Sequence, residues 1–313
     1  MPPFRSDFAP LLRLRRNPFW KRADGALFLA RRGQDPVGRI GVHVDRAEGA
    51  RGDRGLFGWL EMTDDPSVCA ALFEAARSWA TDEGVTELAG PASYTALEQA
   101  GLLVEGHDAA ATHLAGWHPP YYRAAVEAMA NDAAADSVVR RVTLSSPTRA
   151  DAHAVADPPL RTLGAAARDL TGSVMDEWVG HPAAWAPTVA EVGARLRRLG
   201  PTVDRGASWA GEDGVAVVVR DLGAVLSRLR EGGGASGAAA TLRAARAPGG
   251  TATVALLAGR DRAVVAETAM ARAARAGYEA IEAIEPAVAT AFAAASGGRA
   301  AVVRRYRTYR VKV

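Results

Sequence analysis

The sequence is almost without lysine and has a single cysteine. Of 38 basic residues, only Lys21 and Lys312 are lysines. The pI of about 9.3 thus reflects arginine chemistry, and the formal net charge is only +3. A nucleic-acid surface needs a dense basic stripe with stacking aromatics, so these numbers argue against nucleic acid as a partner. Cys69 standing alone excludes an internal disulfide and a cysteine-based zinc cluster. Its neighbours Val68, Ala70, Ala71 and Leu72 mark a buried helical thiol rather than a nucleophile. No run approaches the ~20 apolar residues of a membrane helix. The start, Met1-Pro2-Pro3-Phe4-Arg5, has no apolar signal core. A cytoplasmic protein without a membrane partner is the expectation.

What is present is a globular balance, 49% hydrophobic and 23% charged over 313 residues, long enough for two domains. After an amphipathic start over 7–20, Ala26–Ala30 and Val37–Val44 read as a hairpin around the turn Arg32-Gly33-Gln34-Asp35. A third strand follows over Gly55–Glu61. Asp65 then suits a helix N-cap, with Pro66 at the first helical position. Val68, Leu72, Ala75, Ala76 and Trp79 recur at helical spacing up to Gly84. Val85–Ala89 is a short strand leading into Gly90-Pro91.

A second copy of this order follows. Ala207–Ala210 and Val215–Val219 are strands around Gly211-Glu212-Asp213-Gly214, and Asp221–Arg230 reads as a helix. The Gly- and Ala-rich stretch 232–250 reads as a connection. Thr251–Leu257 is an apolar strand, Asp261–Ala276 a helix closed by Gly277, Tyr278–Ile284 a strand, Pro286–Ala295 a helix and Ala300–Val313 a final strand. This is a pseudo-repeat of one α/β unit. The polar, proline-bearing stretch Ser145–Pro159 separates a first half, 1–144, from a second, 160–313.

The ordered string in the first half resembles bacterial proteins of the GNAT (GCN5-related N-acetyltransferase) superfamily that fuse two GNAT-like halves. It comprises Asn17-Pro18-Phe19-Trp20, Leu27-Phe28-Leu29-Ala30-Arg31, Val37-Gly38-Arg39-Ile40, Asp64-Asp65-Pro66 and Gly90-Pro91. It continues through Gly101-Leu102-Leu103-Val104-Glu105-Gly106-His107-Asp108 and Pro119-Pro120-Tyr121-Tyr122. Weaker matches in the second half are Ala276-Gly277-Tyr278, Gly297-Gly298-Arg299 and Tyr306-Arg307-Thr308-Tyr309-Arg310. The resemblance implies an α/β (α+β) fold of two tandem mixed-sheet halves flanked by helices. It also implies an acyl-CoA-dependent N-acyltransferase acting on a small amine, or a close derivative, with acetyl-CoA or another acyl-CoA as cofactor. A non-catalytic or repurposed relative, binding a metabolite or protein between its halves, is the alternative. The start is shorter than in such relatives, and Ala92–Ala100 has lost several of their polar positions.

Enzymes of this class hold pyrophosphate on backbone N–H groups of a glycine-rich loop at a helix N-terminus. In the first half that helix opens with Asp64-Asp65-Pro66. Two carboxylates occupy the electropositive end and proline removes a donor, which disfavours phosphate. In the second half the loop is Gly259-Arg260-Asp261-Arg262-Ala263-Val264. Paired glycines are absent, but Arg260 and Arg262 can grip a pyrophosphate by charge. The cofactor site is therefore expected at Val254, Leu256, Leu257, Gly259, Arg260 and Arg262, against a plain reading in which Asp261 caps a helix beside two solvated arginines.

The densest polar and aromatic stretch is Glu98–Tyr122. Glu105 with His107 suits a general base, and Tyr121 can protonate a leaving thiolate. Glu98, Trp117, His118 and Tyr122 are candidate substrate contacts. A long surface loop with Tyr–Pro packing is the competing reading. The spacing of His107, Asp108 and His113 matches no metal pattern, so no metal is expected. Ser173, Asp176, Glu177 and Trp178 are candidates for the cleft between halves or for a helix start. Arg304–Arg310 reads as a strand rather than a nucleic-acid segment.

Overall fold

A computed structural model describes residues 16–47, 53–95, 97, 98, 100–109, 115–145, 157–170, 172, 185–200, 202–212, 214–220, 250–284 and 286–313. The expected helix at 221–230, most of the connection at 232–250, and His113, Ser173, Asp176, Glu177 and Trp178 lie outside these residues.

The first half opens with Asn17, whose side chain accepts the Phe19 N–H at 3.1 Å and starts a 3-10 turn, Pro18–Lys21. Strands β1 (Ala23–Arg32) and β2 (Asp35–Asp45) form the expected hairpin, and β3 (Arg54–Met62) pairs antiparallel with β2. Helix α1 (Pro66–Asp82) begins where the sequence places it, with Asp65 accepting the Ser67 N–H at 2.8 Å. Its buried face is Val68, Cys69, Leu72, Phe73, Ala76 and Ala80, the spacing that sets one stripe of a helix against a sheet. Burial pushes the Cys69 thiol up to about 11, in keeping with a packing role. Strand β4 (Glu87–Gly90) runs parallel to β3. Then come β5 (Leu102–Glu105), α2 (Tyr121–Met129) and β6 (Asp132–Thr143). Short β5 and α2 lie inside the stretch that also reads as a loop, because neither is long enough to carry a periodic signature.

Helices α3 (Leu160–Asp169) and α4 (Val189–Leu199) precede the second sheet region. A capping box between Thr188 and Glu191 starts α4. The second half continues with β7 (Trp209–Gly211), β8 (Gly214–Arg220), β9 (Thr251–Gly259), α5 (Arg262–Arg275), β10 (Ala280–Ala283), α6 (Pro286–Ala295) and β11 (Ala300–Lys312). Among the described residues, β1 to β6 and β7 to β11 both run strand, strand, strand, helix, strand, helix, strand, with β5 as the addition in the first.

Among the described residues the two sheets join into one of 11 strands, ordered β1-β2-β3-β4-β11-β6-β10-β9-β8-β7, with β5 beside β11. The last strand of each half lies in the other's territory. β11 pairs with β4, and β6 pairs with β10. The two exchanged strands pair with each other at the centre, antiparallel, from Ala300↔Val142 to Arg310↔Asp132. One core lies under α1 and α2, and a second under α5 and α6. A third, on the opposite face of the second half, joins α3 and α4 to Val215, Val217, Val219, Leu256 and Ala258, and includes Leu97 from the first half. Helix α4 also reaches the first half. Arg22 pairs with Asp45 and with Glu191 at 3.2 Å, Glu98 pairs with Arg195 and Arg198, and Arg54 lies over Trp185. No described helix is long and apolar enough to cross a membrane.

Candidate functional site

Each half contains one place where two parallel strands part. In the first half, β3 and β4 pair only from Arg54↔Glu87 to Leu56↔Ala89. A register shift on β3 lies just beyond, with Trp59 at φ 52°. In the second half, β9 and β10 pair from Thr251↔Ala280 to Val254↔Ala283. Here too the strand bulges, because Val218 faces Val254 and Val217 faces Leu256, leaving Ala255 over. A bulge re-aims backbone groups and ends pairing. Past it, the β10-facing edge of residues 255–258 has no strand partner among the described residues.

The first split is sealed. The Ala92 N–H donates to Phe57 O at 2.6 Å, and the Trp59 N–H points to Ser93 Oγ at 3.4 Å. The approach is so close that a Cβ on Gly58 would lie 2.1 Å from Ala92 O. Tyr94, buried and held at φ 77°, fills the space with Phe19, Trp20, His43 and Trp59 around its ring. His43 is enclosed there, and burial pushes it down to about 3, so it is a neutral packing residue. At the adjoining helix start, hydrogen bonds from Ser67, with Arg32 alongside, hold Asp65 down at about 2. A carboxylate, not a phosphate, satisfies that N-terminus.

The expected cofactor residues lie on β9 and at the start of α5. Leu256 faces the core under α3 and α4, while Val254 and Leu257 face α5 and α6. Gly259 ends β9, with Arg260 exposed and Arg262 partly so. Asp261 accepts the N–H groups of Ala263 and Val264 at 3.0 and 3.2 Å. Backbone edge and arginines thus suit an extended, amide-bearing ligand with a pyrophosphate, while two helix donors are engaged by Asp261.

The residues of the Glu98–Tyr122 stretch divide. Glu105 is exposed and pairs with Arg305 at 3.2 Å. The His118 Nδ1 accepts the Leu103 N–H at 3.2 Å, and burial lowers this histidine to about 4. The Tyr121 hydroxyl donates to Met62 O, and the Tyr122 hydroxyl accepts the Met62 N–H, both at 2.7 Å, so the two phenols clamp one peptide at the end of β3. Burial raises Tyr122 to about 12. His107 carries a buried Nε2 without a hydrogen-bond partner, and Trp117 is exposed. These six sit around β5 and the start of α2. In sheet order, β11, beside β5, stands three strand spacings from β9, about 14 Å. Glu98 reaches α4 of the second half through Arg195 and Arg198.

Sequence reasoning missed a polar row at the closed end of the second split. Thr253 and Glu282 are register partners, both buried. Glu282 Oε1 accepts from Arg141 Nε at 2.8 Å, and Arg304 Nη1 is 3.8 Å from Oε2. The signal was there, a Thr and a Glu inside apolar strands. Among the described residues, no group of three or more His, Cys, Asp or Glu could hold a metal.

No family model matches the chain. It is 41% identical over 116 residues to a bacterial ceramide synthase of Caulobacter vibrioides, covering 36% of this chain and 30% of that one. It is 35% identical over 102 residues to Protein YghO of Escherichia coli, 32% of this chain and 26% of that one. The matches thus span less than a third of those curated relatives. Among solved structures, it is similar to a tandem GNAT protein from the clavulanic acid biosynthesis pathway, without AcCoA, with 11% identity, TM-score 0.48, and coverage of 95% of this chain and 84% of that one. It is also similar to a GCN5-related N-acetyltransferase from Sphaerobacter thermophilus, with 10% identity, TM-score 0.46, and coverage of 92% and 80%.

Proposed function

We propose that the protein is an acyl-CoA-dependent N-acyltransferase acting on an amine, with its cofactor in the second half (160–313) and the first half (1–144) as a closed scaffold. The observation that carries this reading is the contrast between the splits, one filled by Ala92–Tyr94 and one in which residues 255–258 have no strand partner on the β10 side among the described residues. An unpaired strand edge pairs with any extended chain of amides, and the pantetheine arm of CoA is one. When bound, acyl-CoA supplies an activated acyl thioester. The backbone at the Ala255 bulge would then polarise the thioester carbonyl. Arg260 and Arg262 would hold the pyrophosphate, competing with the carboxylate of Asp261. The amine nitrogen forms the new C–N bond as the C–S bond breaks, and its proton leaves with the thiol. In this reading Tyr121 and Tyr122 hold the end of β3, Glu105 and His118 brace β5, and Glu98 ties the first half to α4 over the acceptor side. The curated relative's name supports amide formation, since ceramides are N-acyl compounds.

Calorimetric titration with acetyl-CoA tests the reading. Binding is expected, weakened at least tenfold in Arg260→Ala/Arg262→Ala. No heat at millimolar ligand sinks the acyltransferase; undiminished binding in the double variant sinks this placement of the pyrophosphate.

A further inference from the structure

The sheet ends differently at its two sides. At one end stands β7, an edge of only 3 residues. At the other stands β1, 10 residues long, with no strand on its outer side among the described residues. An open edge pairs with any extended chain, and natural edges are blunted by shortness, lysine, proline or a bulge. β7 is short, but β1 reads Ala23-Asp24-Gly25-Ala26-Leu27-Phe28-Leu29-Ala30-Arg31-Arg32, with neither lysine nor proline. Its register with β2 shifts once, and the extra residue there is Val37 of β2, so β1 itself carries no bulge. Leu27 and Leu29 are 52% and 51% exposed. They stand on the face away from α1, because Ala26, Phe28 and Ala30 pack into the core under that helix.

The order of residues along β1 says what fits this edge. Let two copies of β1 lie antiparallel, with Phe28 opposite Phe28. Leu27 of one copy then faces Leu29 of the other, Ala26 faces Ala30, Gly25 faces Arg31, and Asp24 faces Arg32, each contact occurring twice by symmetry. Opposite residues of an antiparallel pair share a face and interact, so the exposed leucines of each copy cover those of the other. Asp24 and Arg32 are 60% and 67% exposed and pair within the chain with Arg46 and Asp65. The second copy extends these pairs into a row of alternating charge. Gly25 yields its place to the Trp20 ring, 2.8 Å from where a Cβ would lie, and the facing Arg31 brings a guanidinium to that indole. A slip of two residues sets Asp24 against Ala30, or Arg32 against Ala26. A slip of one sets the α1 side of one copy against the outer side of the other. We propose that β1 is a self-association edge, through which two copies of this chain join into one continuous sheet centred on Phe28. In sheet order β1 stands seven strand spacings from β9, about 34 Å, so the interface is independent of the acyltransferase reading.

Sedimentation equilibrium of the full chain tests this edge. A species of twice the 32.7 kDa chain mass is expected at about 10 μM. Leu29→Lys sets a lysine on the edge, against Leu27 of the other copy, and should weaken association about tenfold or more. Asp24→Arg and Arg32→Asp each bring like charges face to face twice and should also weaken it about tenfold. The double variant Asp24→Arg/Arg32→Asp restores opposite charges and should return to within about threefold of the wild type. All three side chains are at least half exposed, so melting temperatures should stay near the wild-type value, which separates lost association from lost folding. A mass of one chain at about 100 μM, as an edge covered by residues outside the described ones would give, overturns the proposal. So does a dimer that none of these variants weakens, or a double variant as weak as the single ones.

Discussion

The two splits have the same local architecture and opposite contents. Each follows a short parallel pairing, each has a bulge on the longer strand, and each precedes a helix capped by aspartate, Asp65 or Asp261. In the first, the chain itself enters the opening: the Ala92 N–H donates to Phe57 O, and Ser93 Oγ faces the Trp59 N–H. In the second, residues 255–258 have no strand partner on that side among the described residues. One scaffold thus yields a wall or a site, depending on what the segment after the fourth strand does.

The strongest test of this contrast is to separate the halves. Expressed alone, 1–144 lacks β11 beside β4, and 160–313 lacks β6 beside β10. Neither should show a cooperative thermal transition, whereas co-expression should restore one. A half that melts cooperatively on its own would break the picture of interlocked halves.

Next in size is the seal. Gly58→Ala places a methyl against Ala92 O and should cost about 3 kcal/mol in chemical denaturation, with acetyl-CoA affinity unchanged. A change in affinity of the same size as the loss of stability would mean that the splits are not independent.

Acid should separate the halves more gently. Burial holds His43 at about 3 and His118 at about 4, from an ordinary value of 6.5, and both lie in the first half. The unfolded chain binds protons below pH 6.5 that the folded chain refuses. Stability is therefore full above 6.5 and falls as the pH drops toward 4 and then 3, with each histidine adding up to about 1.4 kcal/mol per pH unit. Amide exchange should show β2 and β5 loosening before β9. The reverse order would place the acid-sensitive core elsewhere.

The smallest effect sharpens the cofactor loop. Asp261→Ser keeps a capping oxygen but removes a negative charge from the helix start. Acetyl-CoA should bind about threefold more tightly. Weaker binding would mean that the pyrophosphate does not approach α5.

Much of this was legible one residue at a time. Asp65-Pro66 announced a helix start, Val37–Val44 an alternating strand, and Asp261 the cap that it proves to be, because these signals act within a few residues. The polar stretch 98–122 read as a loop or a catalytic cluster because β5 and α2 are short. Only packing shows Tyr121 and Tyr122 closing on Met62, or Glu98 crossing to α4. Thr253 and Glu282 drew no notice in apolar strands, since neither means anything until parallel register sets them side by side.

The sequence by itself determined the repeated element order, the arginine-rich and almost lysine-free surface, and the carboxylates at the two helix starts, all consequences of local preference and composition. Tertiary structure alone decided that β6 and β11 change places, that Ala92–Tyr94 fills one split but not the other, and that a threonine hydroxyl lies unsatisfied beside a buried carboxylate. These depend on which strands meet, and strand pairing is settled by long-range register and burial rather than by neighbours in the chain.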